Sequence, residues 1–229
     1  MLGKVKNSRL QARSTGFTLI ELMVVMAVVA VVLVLAAPSF SRLMETQRVR
    51  GTSDQFLTDV QFARSEAASS QETTGISFKT QAGTQTCYTV HSCGAVLPIA
   101  ICSCDCTLGA GNACPNPTGA IPPPRELRTV RLPTSDGVSL VPVLANGNPP
   151  VFPPAGITHI NFDPATGALS VLYAPTLVVQ APPANGVFWA KVSSTRPGST
   201  ITVRDIVVTT GRPSACKPPG STINGLPAC

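Results

Sequence analysis

Residues Phe17–Ala37 constrain this chain more than any other stretch. Leu22 to Ala37 is an unbroken run of Val, Ala, Leu and Met, preceded by Phe17-Thr18-Leu19-Ile20-Glu21. As a helix, the 21 residues from Phe17 to Ala37 extend about 30 Å at 1.5 Å per residue, which is the thickness of one bilayer core. The segment ahead carries Lys4, Lys6, Arg9 and Arg13 and no acid. By the positive-inside rule, such a flank keeps the N-terminus cytoplasmic and sends the rest of the chain outside.

Glu21 does not fit a simple anchor. An ionised side chain costs on the order of 2.5–3.5 kcal/mol at a membrane centre and less near its edge, so it needs a partner. A plain anchor has no use for such a residue. An ordinary secretory signal has a shorter apolar core and a small-residue cleavage site. Leu35-Ala36-Ala37 supplies that site only weakly, with Pro38 directly behind it. Instead, Gly16-Phe17-Thr18-Leu19-Ile20-Glu21 resembles the class III signal of type IV prepilins and pseudopilins. The resemblance implies cleavage after Gly16 by a membrane peptidase and N-methylation of the new N-terminal Phe17. It also implies that Glu21 pairs with the terminal amine of a neighbouring subunit.

The rest of the chain reads as one domain appended to this helix. Without residues 1–16 the chain has 213 residues, with 13 basic and 11 acidic side chains and a net charge of +2. That balance argues neither for nor against nucleic acid. Charged residues are only 12% of the chain, and its 22 prolines and 18 glycines point to a loop-rich, extracytoplasmic β domain. All eight cysteines (Cys87, Cys93, Cys102, Cys104, Cys106, Cys114, Cys216 and Cys229) lie beyond the apolar run. An even number in an oxidising compartment makes disulfides the default, with connectivity open. Cys216 and Cys229 are the easiest pair to propose; closing a loop of that size contributes about 3 kcal/mol.

Beyond the apolar run, Pro38 is expected to kink the helix. Phe56, Val60, Ala63 and Ala67 then recur at helical spacing, with Leu57 alongside, to about Ser70. Gly51-Thr52-Ser53-Asp54 is a candidate weak point or re-start. From Gly75 the period changes to two, with strands around Ile76–Phe78 and Tyr88–Val90 joined near Gln81-Ala82-Gly83. Residues 93–124 are irregular and hold five of the cysteines other than Cys87, Cys216 and Cys229, a candidate disulfide-stapled insertion. Further strands are expected at Leu127–Leu132, Val138–Val143, Ile157–Phe162, Leu169–Tyr173, Val187–Val192 and Ser199–Thr209. Asp163-Pro164-Ala165-Thr166-Gly167 is turn chemistry.

Three of these pieces resemble the GspH/FimT branch of the pseudopilins. They are Ala63-Arg64-Ser65-Glu66-Ala67, then Phe162-Asp163-Pro164 with Gly167, then Ile206-Val207-Val208 leading to Gly211-Arg212. The implied fold is α+β and pilin-like, a long N-terminal hydrophobic helix packed on an antiparallel β-sheet domain.

Enzyme constellations are poor. His91 and His159 each fall in an expected strand, where a structural role is the default, and no Gly-x-Ser-x-Gly, P-loop or His-Glu-x-x-His occurs. No enzymatic role and no cofactor is expected. Cys102-Ser103-Cys104-Asp105-Cys106 would present three thiolates on one face of an extended segment, but zinc sites favour Cys-x2-Cys and the compartment favours disulfides. Some FimT-like minor pilins resemble DNA receptors with a C-terminal Gly-Arg-x-Arg. Here Gly211-Arg212-Pro213-Ser214 lacks the second arginine, and Lys217 is the candidate substitute. Affinity for nucleic acid scales with the phosphates neutralised, so one missing arginine matters.

The expected organisation is a leader over 1–16, a membrane or filament-core helix over 17–38, its amphipathic continuation over 39–70 and a β-rich GspH/FimT-like domain over 71–229. The expected function is that of a minor pilin or pseudopilin initiating or capping a type IV pilus or pilus-like filament. Its partners are prepilin peptidase, other pilins and the inner membrane, with the C-terminal domain in the periplasm before assembly. A type II secretion pseudopilin and a DNA-binding minor pilin of natural transformation are the alternatives.

Overall fold

The computed structural model describes residues 16–81, 84–93, 104–114, 124–143, 158–173, 179–180 and 187–229. The chain forms two units, one ending at Leu43 and the other beginning at Met44. Helix α1 runs Leu19–Ser70. Pro38 removes one amide donor without ending it. The expected weak point at Gly51–Asp54 is not a break. Val49, Ser53 and Phe56 are all buried along one stripe there, and tertiary packing overrides the low helix propensity of Gly51. Gln71, with φ of +57°, takes the left-handed conformation that closes the helix.

Ten strands follow among the described residues: β1 (Thr74–Gln81), β2 (Gln85–Ser92), β3 (Arg125–Pro133), β4 (Val138–Val143), β5 (Thr158–Phe162), β6 (Leu169–Tyr173), β7 (Val179–Gln180), β8 (Val187–Ser194), β9 (Thr202–Val208) and β10 (Pro213–Cys216). They form two antiparallel sheets, one in the order β3-β2-β1-β5-β6-β7 and the other β10-β9-β8-β4. The domain is thus an α+β fold in which a helix packs on antiparallel sheets.

Within the second unit the helix buries Val49, Phe56, Val60, Ala63 and Ala67, spaced so that all face one side. The Phe56 ring meets Phe78 of β1 edge-on at 5.7 Å and Tyr88 of β2 at 5.6 Å. Phe78 in turn stacks on Phe188 of β8 at 5.3 Å. Four rings therefore join the helix to both sheets. On β8 and β9 the burial alternates, with Phe188, Ala190 and Val192 beside Val203, Asp205 and Val207.

Strand β2 is buried along its whole length. Tyr88 and Val90 belong to the core, while Cys87, Thr89 and His91 alternate onto the opposite face. Residues 104–114, with a 3-10 turn at Cys106–Leu108, are attached on that face. The Cys87–Cys106 disulfide ties the segment to β2, a Lys79–Asp105 ion pair ties it to β1, and Cys104–Cys114 closes it on itself. Cys93 is also disulfide-bonded, and no described cysteine is free; Cys102 lies outside the described residues. Cys216 and Cys229 are bonded, and between them Ile223 inserts into the core.

Strands β7 and β10 are additions to the expected set. β7 is two residues long, too short to show a period. β10 opens on Pro213, a residue that discourages a strand assignment but is tolerated at the first position of an edge strand.

Phe56→Ala removes the ring by which the helix meets β1 and β2 and is expected to cost about 3–5 kcal/mol. Phe62→Ala, on the exposed side of the same helix, is expected to change stability by no more than about 0.5 kcal/mol. Denaturant unfolding of the full chain in detergent micelles, followed by near-UV circular dichroism, compares the two.

Candidate functional site

The N-terminal feature begins with a helix cap. The Thr18 hydroxyl accepts the Glu21 backbone N–H at 3.3 Å, and the Thr18 carbonyl accepts the Leu22 N–H at 3.2 Å. Thr18 is therefore the N-cap, and Glu21 is the third helical residue, the spacing of a capping box. A carboxylate in the first turn also sits where the helix dipole favours negative charge. Sequence reasoning assigned Glu21 only an intermolecular role; the Thr18-x-x-Glu21 spacing was the signal for this local one. Phe17 stands one residue ahead of the cap and is 81% exposed, and Gly16 precedes it.

Behind the cap, Leu19–Ala36 has a mean hydropathy of 3.0, and none of it is buried. Among the described residues this is the one helix long and apolar enough to cross a membrane. Fully burying a single Val or Leu side chain contributes about 1.5–3 kcal/mol. A run of this length left in water is untenable, so lipid or other chains must cover it.

A second feature centres on Arg64 of α1. After β5, the Asp163 carboxylate accepts the amides of Ala165 and Thr166, at 3.1 and 2.8 Å, and the Thr166 hydroxyl at 2.8 Å. This turn ends at Gly167, whose φ of +65° brings it so near Arg64 that an added Cβ would lie 2.8 Å from Nε. Gly211 closes the β9–β10 turn with φ of +73°; a Cβ there would lie 2.8 Å from the Gly167 carbonyl oxygen and 2.9 Å from the Arg64 Cδ. The arginine side chain thus threads between two hairpin turns. Beside it are two clefts, of about 380 and 520 Å³, that share Gln61 and Arg64. Arg212 lines the larger one.

The structure therefore gathers Arg64, Gly167 and Gly211–Arg212 from three segments far apart in the chain. Lys217 is not gathered with them. It follows β10 whereas Arg212 precedes it, a separation of about 16 Å along an extended strand. Sequence reasoning missed Arg64 as part of any charged site, because only the tertiary fold brings it beside Arg212.

On the Cys-bearing face of β1, Ser77 lies between two histidines. Its Oγ is 2.8 Å from His159 Nδ1 and 3.5 Å from His91 Nδ1, and it accepts the Cys104 amide at 3.3 Å. All three side chains are buried, so the serine and histidine pair without access to a substrate. Burial, assisted by the neighbouring His91, pushes the His159 pKa down to about 3. Cys104 and Cys106 are consumed in disulfides and offer no thiolate, and the described residues contain no cluster able to hold a metal.

Besides Glu45, which pairs with Arg196, two carboxylates are buried in the polar interior. Asp59 of α1 accepts the Tyr88 hydroxyl and an Arg128 guanidinium N–H, each at 2.7 Å. Burial raises its pKa, against the lowering effect of both partners. Asp205 of β9 accepts the Ser53 hydroxyl at 2.5 Å, and burial raises its pKa to about 7.

Asp205 and His159 give opposite pH dependences. Between pH 3.8 and about 7 the folded chain holds a proton on Asp205 that the unfolded chain releases, so its contribution is present at low pH and lost as pH rises through 7. Between about pH 3 and 6.5 the unfolded chain protonates His159 and the folded chain does not, so that contribution is lost as pH falls. The unfolding free energy of wild type minus that of Asp205→Asn is expected to fall between pH 4 and 7, by on the order of 4 kcal/mol. The same difference for His159→Asn is expected to rise across pH 3 to 6.5. Urea titrations at half-unit pH intervals measure both.

The family model described as "Prokaryotic N-terminal methylation motif" matches residues 11–37. No curated protein and no solved structure matches the chain. The motif spans Gly16, Phe17 and Glu21 together with the apolar helix, and it implies processing by prepilin peptidase and assembly with other pilins. By this N-terminal segment the chain is type IV prepilin-like.

Proposed function

We propose that the chain is a minor subunit of a type IV pilus or pilus-like filament, of the GspH/FimT class. The observation that carries this reading is the Leu19–Ala36 helix, which no described residue buries, lying within the methylation motif. The meeting of Arg64, Gly167 and Gly211 supports the class, because the three segments that resemble GspH/FimT proteins close on one another.

The mechanism is assembly. Prepilin peptidase cuts the Gly16–Phe17 bond, and the Phe17 amine, N-methylated, becomes the terminus one residue ahead of the cap. The helix rests in the inner membrane with the disulfide-bonded domain in the periplasm. Lipid tails are as apolar as the helix, so burial alone does not pull it into a bundle, and polar pairing and close packing supply the preference. The Glu21 carboxylate has no side-chain partner among the described residues, which leaves it available to the amine of a neighbouring Phe17. Together the two charges offset a desolvation cost that either would bear alone. In the filament the helices form the core, and the domain faces outward to contact other subunits.

Glu21→Val is predicted to leave cleavage at Gly16–Phe17 intact, keep the processed chain in the membrane fraction and lower its presence in sheared filaments about tenfold or more, the effect of losing a buried charge pair. Immunoblots of membrane and sheared fractions read this. Filaments that incorporate the variant at the wild-type level would contradict an assembly role for the glutamate.

A further inference from the structure

The arginines of the larger cleft differ from four other cations of the domain. Lys79, Arg125, Arg128 and Arg196 each pair with a carboxylate. Among the described residues, Arg64 and Arg212 have none. Arg64 is half-buried and held in place by the turns at Gly167 and Gly211, while Arg212 is exposed at the cleft's rim. Gln61 and Ser214 add an amide and a hydroxyl, and no acid among the described residues lines this cleft. Asp163, in the turn that ends at Gly167, already spends one oxygen on three hydrogen bonds within that turn. The cleft therefore collects donors and positive charge with nothing of its own to satisfy them.

We propose that this cleft receives an acidic side chain of a neighbouring filament subunit, with Arg64 as the pre-positioned cation and Arg212 as the closing one. The inference rests on the filament reading above. A carboxylate fits better than nucleic acid for a physical reason. Nucleic-acid affinity grows with the number of phosphates neutralised along an extended track. Here two guanidiniums converge on one recess, and Lys217 lies at the far end of β10. Guanidinium donors match a single carboxylate in a bidentate, charge-assisted geometry. Because the turns already fix Arg64, little side-chain freedom is lost when the partner arrives.

The test uses the full-length chain in piliated cells carrying wild type, Arg212→Glu or Arg212→Lys. Arg212 is exposed, and a melting curve of each purified variant confirms that its fold is kept. Arg212→Glu is expected to be cleaved normally but incorporated into sheared filaments about tenfold less than wild type, with Arg212→Lys between the two, because lysine keeps the charge but not the bidentate geometry. Selection for restored incorporation is expected to recover an acidic-to-basic change in a neighbouring subunit. Wild-type incorporation of Arg212→Glu overturns the cleft proposal and leaves the filament reading standing. So does unchanged incorporation with lost retention of duplex DNA by the purified chain, which assigns the cleft to nucleic acid instead. A wild-type chain that never enters filaments defeats the filament reading and this proposal with it.

Discussion

Among the described residues, none buries the side chains of Leu19–Ala36. That exposure is the physical condition on which everything else depends. A segment so apolar has two stable surroundings, lipid and a bundle of like helices, and a filament subunit passes from the first to the second. The methylation motif covers the same residues. Thr18 caps the helix, so its first turn is closed locally. Glu21 gains from the helix dipole while its carboxylate stays available for a partner.

In the domain behind Met44, one face of the helix is spent inward on the sheets. Phe56 engages Phe78 and Tyr88, and through Phe78 the second sheet is reached at Phe188. Polar groups on the same stripe are paired rather than excluded. Ser53 meets Asp205, and Asp59 meets Tyr88 and Arg128. Each of these contacts is costly to leave half-made in a low-dielectric interior, so they fix the angle at which the helix lies on the sheets. The disulfides act on the other faces. Cys87–Cys106 attaches residues 104–114 to β2, and Cys216–Cys229 closes the C-terminal loop around Ile223.

Much of this was legible where the pattern is local. The helix stripe Phe56, Val60, Ala63, Ala67 and the alternation in β8 and β9 follow from the periods of 3.6 and 2, and the Asp163–Gly167 turn follows from its residues. Legibility failed where a remote segment decides the outcome. The alternation around Tyr88 implies a strand with one wet face, yet β2 is buried on both because residues 104–114 are fastened over the second. That covering is why His91 and His159 lie inside with Ser77. Arg64 reads as a helix surface residue until the turns at Gly167 and Gly211 close on it. Lys217 reads as a neighbour of Arg212 until β10 extends between them.

The most direct test of a filament role is mass spectrometry of material sheared from the cell surface, searched for peptides that begin at Phe17. A processed minor pilin predicts methylated Phe17 peptides beside a far more abundant major subunit. Processed chain confined to the membrane fraction would move the assignment to a secretion pseudopilin. An intact Gly16–Phe17 bond in both fractions would contradict the prepilin reading itself.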